Sequence, residues 1–594
     1  MRKLLVCTVL LLSVILFVSC NSVGGDTTST TSDITEAERS TEMSNTNEST
    51  GTQLPMQEES TVASEVTTTA AETALPEVTT TSVITTEENT TTAEETTEEA
   101  ATTEEQTEQI VRITVIPSPK SVEYGKVNVR AVPRSAPGDF PNAEQTLRDF
   151  ILATHNVEIT SVSDGSESIK FIKVDGLAEE EYRIIADDNT ITVEAADEYG
   201  AQNAVSTLVQ ALKNEDGLLK IPECTVNDKP DRHFRSVMFD LARSWHETSY
   251  IYEYIDMCRF YKVRYLHLHF TDSQLYTLPS NAYPNLSSGT YSYSAETIKE
   301  FIAYAKLRGV NIIPEIDVPG HSANFHRAYP EVFGNHGIIC MSETSLTAME
   351  TLFTELCELF EDSDYIHIGG DEASVKNWTT CPNCLQSFRD KGFDVDNMSA
   401  DELITVMYAE FINRMAKVVQ DHGKTPIVWE GFPAEANDLI TRDIVVYGWE
   451  NYYQTTDSLI AAGFNVVNAA WKPMYIVAPK PITTFDDVVN WNIFTWGAVH
   501  PNSPYLNTPL VIEPTDQVIG AQMLCWGDFI TTQYATVNEG LDDEQRILLT
   551  KLPAMSERVW NIDRNLVMKN FRRLYQNVSQ VYKTFFEATN NTHS

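Results

Sequence analysis

Tyr365-Ile366-His367-Ile368-Gly369-Gly370-Asp371-Glu372 is a short apolar run that ends in two glycines and two adjacent carboxylates. Stretches of helical periodicity flank it, residues 347–360 before and 400–420 after. A short, fully apolar run between two helices reads as a strand of a parallel sheet, because such strands are covered on both faces. The same pattern repeats outward. Residues 237–241, 265–270 and 310–316 precede it, and residues 426–429, 444–449, 465–470 and 519–526 follow, with helical stretches at 250–261 and 295–308 among them. Eight such runs alternating with helices predict a (β/α)₈ barrel. An open doubly wound sheet is the alternative, but no Gly-rich nucleotide loop follows the first run.

The barrel is expected over residues 230–594, preceded by a small α+β domain over 111–229. That domain should have strands at 113–116, 182–186 and 190–195 and helices at 144–154 and 199–212. Pro222 and Pro230 punctuate its end. Upstream the composition changes. Residues 21–110 are rich in Thr, Ser and Glu, with about twenty acidic residues against one basic one, Arg39, so nearly half of the net charge of −43 sits there. Such a segment lacks the apolar surface to offset its ordering entropy and is expected to be a disordered, extended stalk. Residues 1–20 read as an export signal: Arg2 and Lys3, an apolar run from Leu4 to Val18, then Ser19-Cys20. Cys20 is the expected lipidation site, which would anchor the chain to the outer face of a bacterial cell membrane, the lipid being its only membrane contact. No basic stripe exists, which argues against nucleic acid as a partner.

Nine cysteines are present. Setting aside Cys7 and Cys20, the remaining seven are scattered and make no disulfide framework. Cys381-Pro382-Asn383-Cys384 has metal-ligand spacing, but no second pair or His cluster in the sequence completes a zinc site. It reads as a local disulfide or loop packing, and no metal is expected.

Catalytic groups of a (β/α)₈ barrel sit at the C-terminal ends of its strands. Those ends hold Asp240 and Arg243, His269 and Asp272, Glu315 and Asp317, Asp371 and Glu372, Trp429 and Glu430, then Trp449, Trp471, Trp526 and Asp528. Carboxylates and tryptophans around one rim suit a sugar site, with acids for the glycosidic bond and aromatic faces for a pyranose. Asp371 and Glu372 have little structural alternative, since two adjacent carboxylates are costly to bury without a function. His267 and His269 alternate along a strand as zinc ligands do, although a metal-free reading fits better, and His367 reads as a satisfied barrel histidine. Ordinary glycosidases place two carboxyl groups on opposite sides of the bond. Adjacent residues are poorly placed for that, so the nucleophile comes from elsewhere: the substrate's own 2-acetamido oxygen, or an opposing Asp317 or Asp272.

The run His367–Glu372 resembles the signature of the family 20 glycoside hydrolases, the β-N-acetylhexosaminidases. Three further segments are similar to that family's first three barrel strands: Arg235-Ser236-Val237-Met238-Phe239-Asp240-Leu241-Ala242-Arg243, His267-Leu268-His269-Phe270-Thr271-Asp272-Ser273-Gln274, and Pro314-Glu315-Ile316-Asp317-Val318-Pro319-Gly320-His321. The resemblance covers the chain from residue 111 onward. It implies substrate-assisted catalysis with retention through an oxazolinium, without a cofactor. Glu372 would be the general acid and base, Asp371 would orient the acetamido group, and Tyr475 would hold its oxygen, with Tyr452 and Tyr453 competing for that last role. Arg235 would bind the sugar's 3- and 4-hydroxyls, and Asp272 and His321 would form a hydrogen-bonded chain to Glu372. Trp429, Trp449 and Trp526 would wall the pocket. Asp528 stands where the family often has Glu, leaving a gluco or galacto preference open. The expected partners are glycans with a terminal, non-reducing β-linked N-acetylhexosamine. A lacto-N-biosidase of the same family, releasing a disaccharide, and a non-catalytic carbohydrate-binding surface protein are the rival readings.

Overall fold

The structure is a computed structural model that describes residues 112–335 and 337–593. The expected export signal, the lipidation at Cys20 and the stalk over 21–110 lie outside the described residues. Among the described residues no helix is long and apolar enough to cross a membrane.

Residues 112–228 form a mixed sheet with two helices. Its longest strands, Ser121–Ala131 and Leu218–Asp228, pair antiparallel, and Tyr182–Asp187 lies on the other side of Leu218–Asp228. Thr190–Ala195 and Ile169–Lys173 continue the sheet. Helices Pro141–His155 and Glu198–Ala211 cover it; the second starts with the Asp197 side chain accepting the Gly200 N–H. Residues 113–116, expected as a strand, have no ladder partner. Instead Gln210 takes both backbone groups of Ile116, accepting its N–H at 2.8 Å and donating to its carbonyl at 2.9 Å. A side-chain amide thus replaces the strand neighbour.

The barrel strands are β1 (Phe234–Asp240), β2 (Tyr265–His269), β3 (Asn311–Glu315), β4 (Tyr365–His367), β5 (Thr425–Trp429), β6 (Val445–Gly448), β7 (Asn465–Asn468) and β8 (Val518–Cys525). They pair parallel in sequence order, and β8 pairs with both β7 and β1, which closes the ring. Every position of β1 and β2 is buried, as expected of strands covered inside by the barrel core and outside by helices. Helices follow most strands, among them Thr248–Phe260, Ala295–Leu307, Glu343–Leu359, Ala400–Asp421 and Val537–Trp560. Ala400–Asp421 opens with a capping box between Ser399 and Glu402. Between β5 and β6 the crossover shrinks to the 3₁₀ turn Ala434–Ala436. The last helix, Met568–His593, joins the two parts: the Phe585 ring lies 4.4 Å from Phe150 and 5.6 Å from Phe260.

The face between the parts is buried and polar. Lys262 and Tyr182 both donate to Asp228 Oδ2, at 2.9 and 2.6 Å, and Trp560 donates to its Oδ1 at 2.8 Å. Arg235 belongs to this network. It is the second residue of β1, five residues from the C-terminal Asp240, or ~16 Å along an extended strand. Its guanidinium pairs with buried Glu180, donates to the carbonyls of Lys262, Arg232 and His233, and lies 5.0 Å from the Trp560 ring. The expected contact of Arg235 with sugar hydroxyls is therefore corrected: the side chain is spent at the opposite end of the barrel from the carboxylate rim.

Candidate active site

The turn after β4 sets the two acids. Gly369 and Gly370 have φ of 74° and 109°. A Cβ on Gly369 would stand 2.1 Å from Asp317 Oδ1 and 2.5 Å from the Val318 nitrogen, so only glycine lets the β3 and β4 ends approach this closely. Asp371 and Glu372 then diverge: the Asp371 side chain is 10% exposed, that of Glu372 56%.

His321, on the loop after β3, stands between them. Its Nε2 lies 3.5 Å from Glu372 Oε2 and 3.9 Å from Asp371 Oδ1, while its Nδ1 lies 3.2 Å from Asp272 Oδ2. The predicted chain Asp272–His321–Glu372 is thus assembled by three different strand ends. Both His321 and Glu372 have a left-handed backbone, each with φ of 44°. Burial alone would depress the His321 imidazolium, but Asp272 and Asp317 outweigh it and raise its pKa well above the ordinary value. The hydrogen bond from His321 lowers the pKa of Glu372. Burial raises Asp371 to about 6, with His321 opposing and Glu372 adding to the rise.

Arg243 is the arginine at this rim. It sits 2.7 Å from Asp272 Oδ2, 2.9 Å from Asp240 Oδ2 and 3.8 Å from Asp528 Oδ1, with its guanidinium 4.8 Å from the Trp526 ring. Asp528 is half exposed, at the outer side of that cation. The opposite wall is aromatic. Tyr475 stacks on Trp471 at 4.4 Å, and Trp449 and Trp526 flank it at 6.3 and 6.0 Å. Asp371 and Glu372 are close enough to Tyr475 to raise its pKa further, after burial itself. Trp429 lies deeper than the expected wall position; it is fully buried and donates to Glu315 Oε1 at 2.7 Å. His267, His269 and His367 converge on the same Glu315 carboxylate.

Two further carboxylates shape the site, Glu430, one of the strand-end residues, and Glu450, which the sequence had not singled out. Glu430 accepts five successive N–H groups, from Trp449 to Tyr453, and so folds the loop after β6. Glu450 follows Trp449. Burial raises it to about 7, against the N–H groups of His500 and Val499, and its Oε2 has no protein partner. Only its neighbour's tryptophan pattern drew attention to that segment. Asp371 Oδ1 and the Trp526 indole nitrogen are likewise buried without a hydrogen-bond partner in the protein. Unpaired buried polar atoms gathered around one cleft are the signature of a site that expects a polar ligand.

Residues 233–562 match the catalytic domain of glycosyl hydrolase family 20, and residues 112–229 match that family's domain 2. A β-hexosaminidase of Akkermansia muciniphila is 30% identical over 292 residues, 44% of this chain and 57% of that protein. The human β-hexosaminidase subunit beta is 25% identical over 404 residues, 65% of this chain and 67% of its own length. The chain thus spans between about half and two thirds of these curated relatives. Among solved structures, an exo-β-N-acetylglucosaminidase of Vibrio harveyi in complex with N-acetylglucosamine superposes with a TM-score of 0.65, at 20% identity, over 80% of this chain and 79% of that one. A β-N-acetylhexosaminidase of Bacteroides fragilis does so with a TM-score of 0.65, at 23% identity, over 80% and 96%. The two domain matches together span almost all the described residues, and the chain belongs to glycosyl hydrolase family 20, a glycoside hydrolase with a (β/α)₈ catalytic barrel behind the family's domain 2.

Proposed function

We propose that this protein is an exo-acting, retaining β-N-acetylhexosaminidase that removes terminal, non-reducing β-linked N-acetylhexosamine by substrate-assisted catalysis. The observation that carries the reading is the placement of Asp371 and Glu372 on one strand end, both within 4 Å of His321 and close to the Tyr475 phenol.

Trp449, Tyr475 and Trp526 receive the apolar side of the sugar and its acetamido methyl. The Tyr475 hydroxyl donates to the acetamido oxygen and turns it toward the anomeric carbon. Asp371, as the anion, accepts the acetamido N–H and stabilises the positive charge that grows on that nitrogen as the ring closes. Glu372 gives its proton to the leaving oxygen; the resulting carboxylate then takes a proton from the water that opens the oxazolinium. Two displacements at one carbon give retention. In the free enzyme the His321 hydrogen bond lowers Glu372; a bound sugar excludes water from its exposed carboxyl and pushes it back up. Arg243 and Asp528 take the hydroxyl-binding role that Arg235 cannot fill.

The test is hydrolysis of aryl β-glycosides of N-acetylglucosamine, N-acetylgalactosamine and lacto-N-biose by wild type, Glu372→Gln and Asp371→Asn. Release from the monosaccharides, lost in Glu372→Gln most strongly when the leaving phenol is poor, supports the proposal. Release from the disaccharide alone would make the protein a lacto-N-biosidase, and glycan binding without turnover would leave a carbohydrate-binding surface protein. Export and lipid anchoring at Cys20 are part of the same proposal, motivated by the Ser19-Cys20 pair after an apolar run; Cys20→Ser should move the protein from the membrane fraction to the medium.

A further inference from the structure

Cys381 and Cys384, expected to form a local disulfide or simply to pack a loop, join a third cysteine in a buried cluster of free thiols. Cys340, from the loop after β3, packs against both, with sulfur separations of 3.5 Å to Cys384 and 3.9 Å to Cys381. All three are buried free thiols with sulfurs within 4.8 Å of one another. The Met341 N–H donates to Cys384 Sγ at 3.2 Å, the kind of contact that supports a thiolate. Sequence reasoning missed Cys340 because it lies on a different barrel loop.

Zinc bonds thiolate at about 2.3 Å, and tetrahedral angles then separate two sulfurs by about 3.8 Å. The separations here bracket that value. A single disulfide would use two of the sulfurs and leave the third thiol buried beside it. Cys340 lies in the same β3-to-helix connection as His321, while Cys381 caps and Cys384 sits in the helix Pro382–Asp390, which follows the Glu372 loop. The Trp378 indole, donating to the Ile339 carbonyl at 2.8 Å, joins the same two loops next to the cluster. The other groupings of metal-ligating side chains among the described residues belong to the Glu315 network or to the Asp272–His321 site.

We propose that Cys340, Cys381 and Cys384 supply three corners of a structural zinc site that pins the Glu372 loop to the His321 loop. Binding displaces the thiol protons and leaves the metal without a catalytic task. The inference does not rest on the hydrolase reading, since metal content is measured without substrate.

The test uses the untagged full-length protein. Elemental analysis should find about one zinc per chain. Its X-ray absorption spectrum should show sulfur neighbours at about 2.3 Å. Cys340→Ser and Cys384→Ser should each lose the metal, and should a variant not fold, the wild-type spectrum decides alone. Stripping the zinc with a chelator should lower the Tm. Protein that is metal-free as isolated, with two of these cysteines oxidised to a disulfide, overturns the proposal. So does a zinc shell of nitrogen and oxygen only, or a Tm that chelation leaves unmoved.

Discussion

Replacing Asp371 with asparagine removes one charge and almost no volume, and the surroundings of this carboxyl fix what should follow. Burial raises its pKa from 3.8 to about 6, a shift equivalent to about 3 kcal/mol of disfavour for the anion in the folded, sugar-free protein at neutral pH. The folded state binds this proton more tightly than the unfolded chain does. Stability from this group is therefore lost as pH rises from about 4 to about 6, and Asp371→Asn should be more stable than wild type at pH 7, by up to about 3 kcal/mol, and equal to it near pH 3. Catalysis needs the opposite state. A carboxylate ~4 Å from the oxazolinium charge, at an effective dielectric constant of ~20, is worth ~4 kcal/mol, so the variant should lose about a thousandfold in kcat.

The pH profile ties the two halves together. In wild type kcat/KM should fall below pH 6, to about a tenth of its plateau at pH 5, because it reports groups of the free enzyme. The assay is aryl-glycoside hydrolysis from pH 4 to 8, run beside urea unfolding at pH 3 and pH 7. If Asp371→Asn keeps the same acid limb, that limb belongs to another group. If the variant loses less than tenfold in kcat, or is less stable than wild type at pH 7, the reasoning from a buried carboxylate with a raised pKa fails.

Tyr475→Phe keeps the stack on Trp471 and removes only the hydroxyl, so kcat should drop about a hundredfold, the loss typical of one oriented donor, with Tm unchanged; an unaltered kcat would move the role to Tyr453. Arg235→Met strips buried Glu180 of one cation and leaves it Arg264 at 2.8 Å, so it should cost about 3 kcal/mol in urea unfolding with KM unchanged, whereas a raised KM with normal stability would return Arg235 to the sugar. Gly369→Ala forces a methyl against Asp317 and the Val318 backbone; it should destabilise the fold by a few kcal/mol and abolish turnover, and a near-wild-type rate would mean that the close approach of β3 and β4 is not needed.

The barrel was legible because its strands are buried on both faces and mostly apolar, and all eight fall where the runs placed them. The domain before it was less so. Ser121–Ala131 is interrupted by Gly125-Lys126 and is fully buried only at Val129 and Ala131, and its antiparallel partner carries a proline at Pro222, so neither reads as a strand. Residues 113–116 look like a strand and are not: side chains stand in for a strand neighbour, Gln210 for both backbone groups of Ile116 and Tyr124 for the Ile113 N–H. The arginine assignment failed for a similar reason. Arg235 and Arg243 both lie in the segment that resembles the first barrel strand, and which end of a strand faces the rim depends on strand direction and on the charges waiting there. Glu180 from the preceding domain claims one arginine; Asp240, Asp272 and Asp528 claim the other. Sequence spacing carries no record of either set.

The position of the acid shows how these parts depend on one another. Glu372 and His321 both hold a left-handed backbone, at about 1–3 kcal/mol each for residues with a Cβ, and neither would stay there on its own preference. What offsets this is charge: relaxing either residue would take His321 away from Glu372 and from buried Asp272 and Asp371, leaving those two buried carboxylates without that cation. The arrangement therefore fixes the distance between proton donor and imidazole by two loops that must move together or not at all. Clamping those loops to each other outside the pocket, where Trp378 and the three cysteines meet, constrains the acid without placing anything in the path of the sugar.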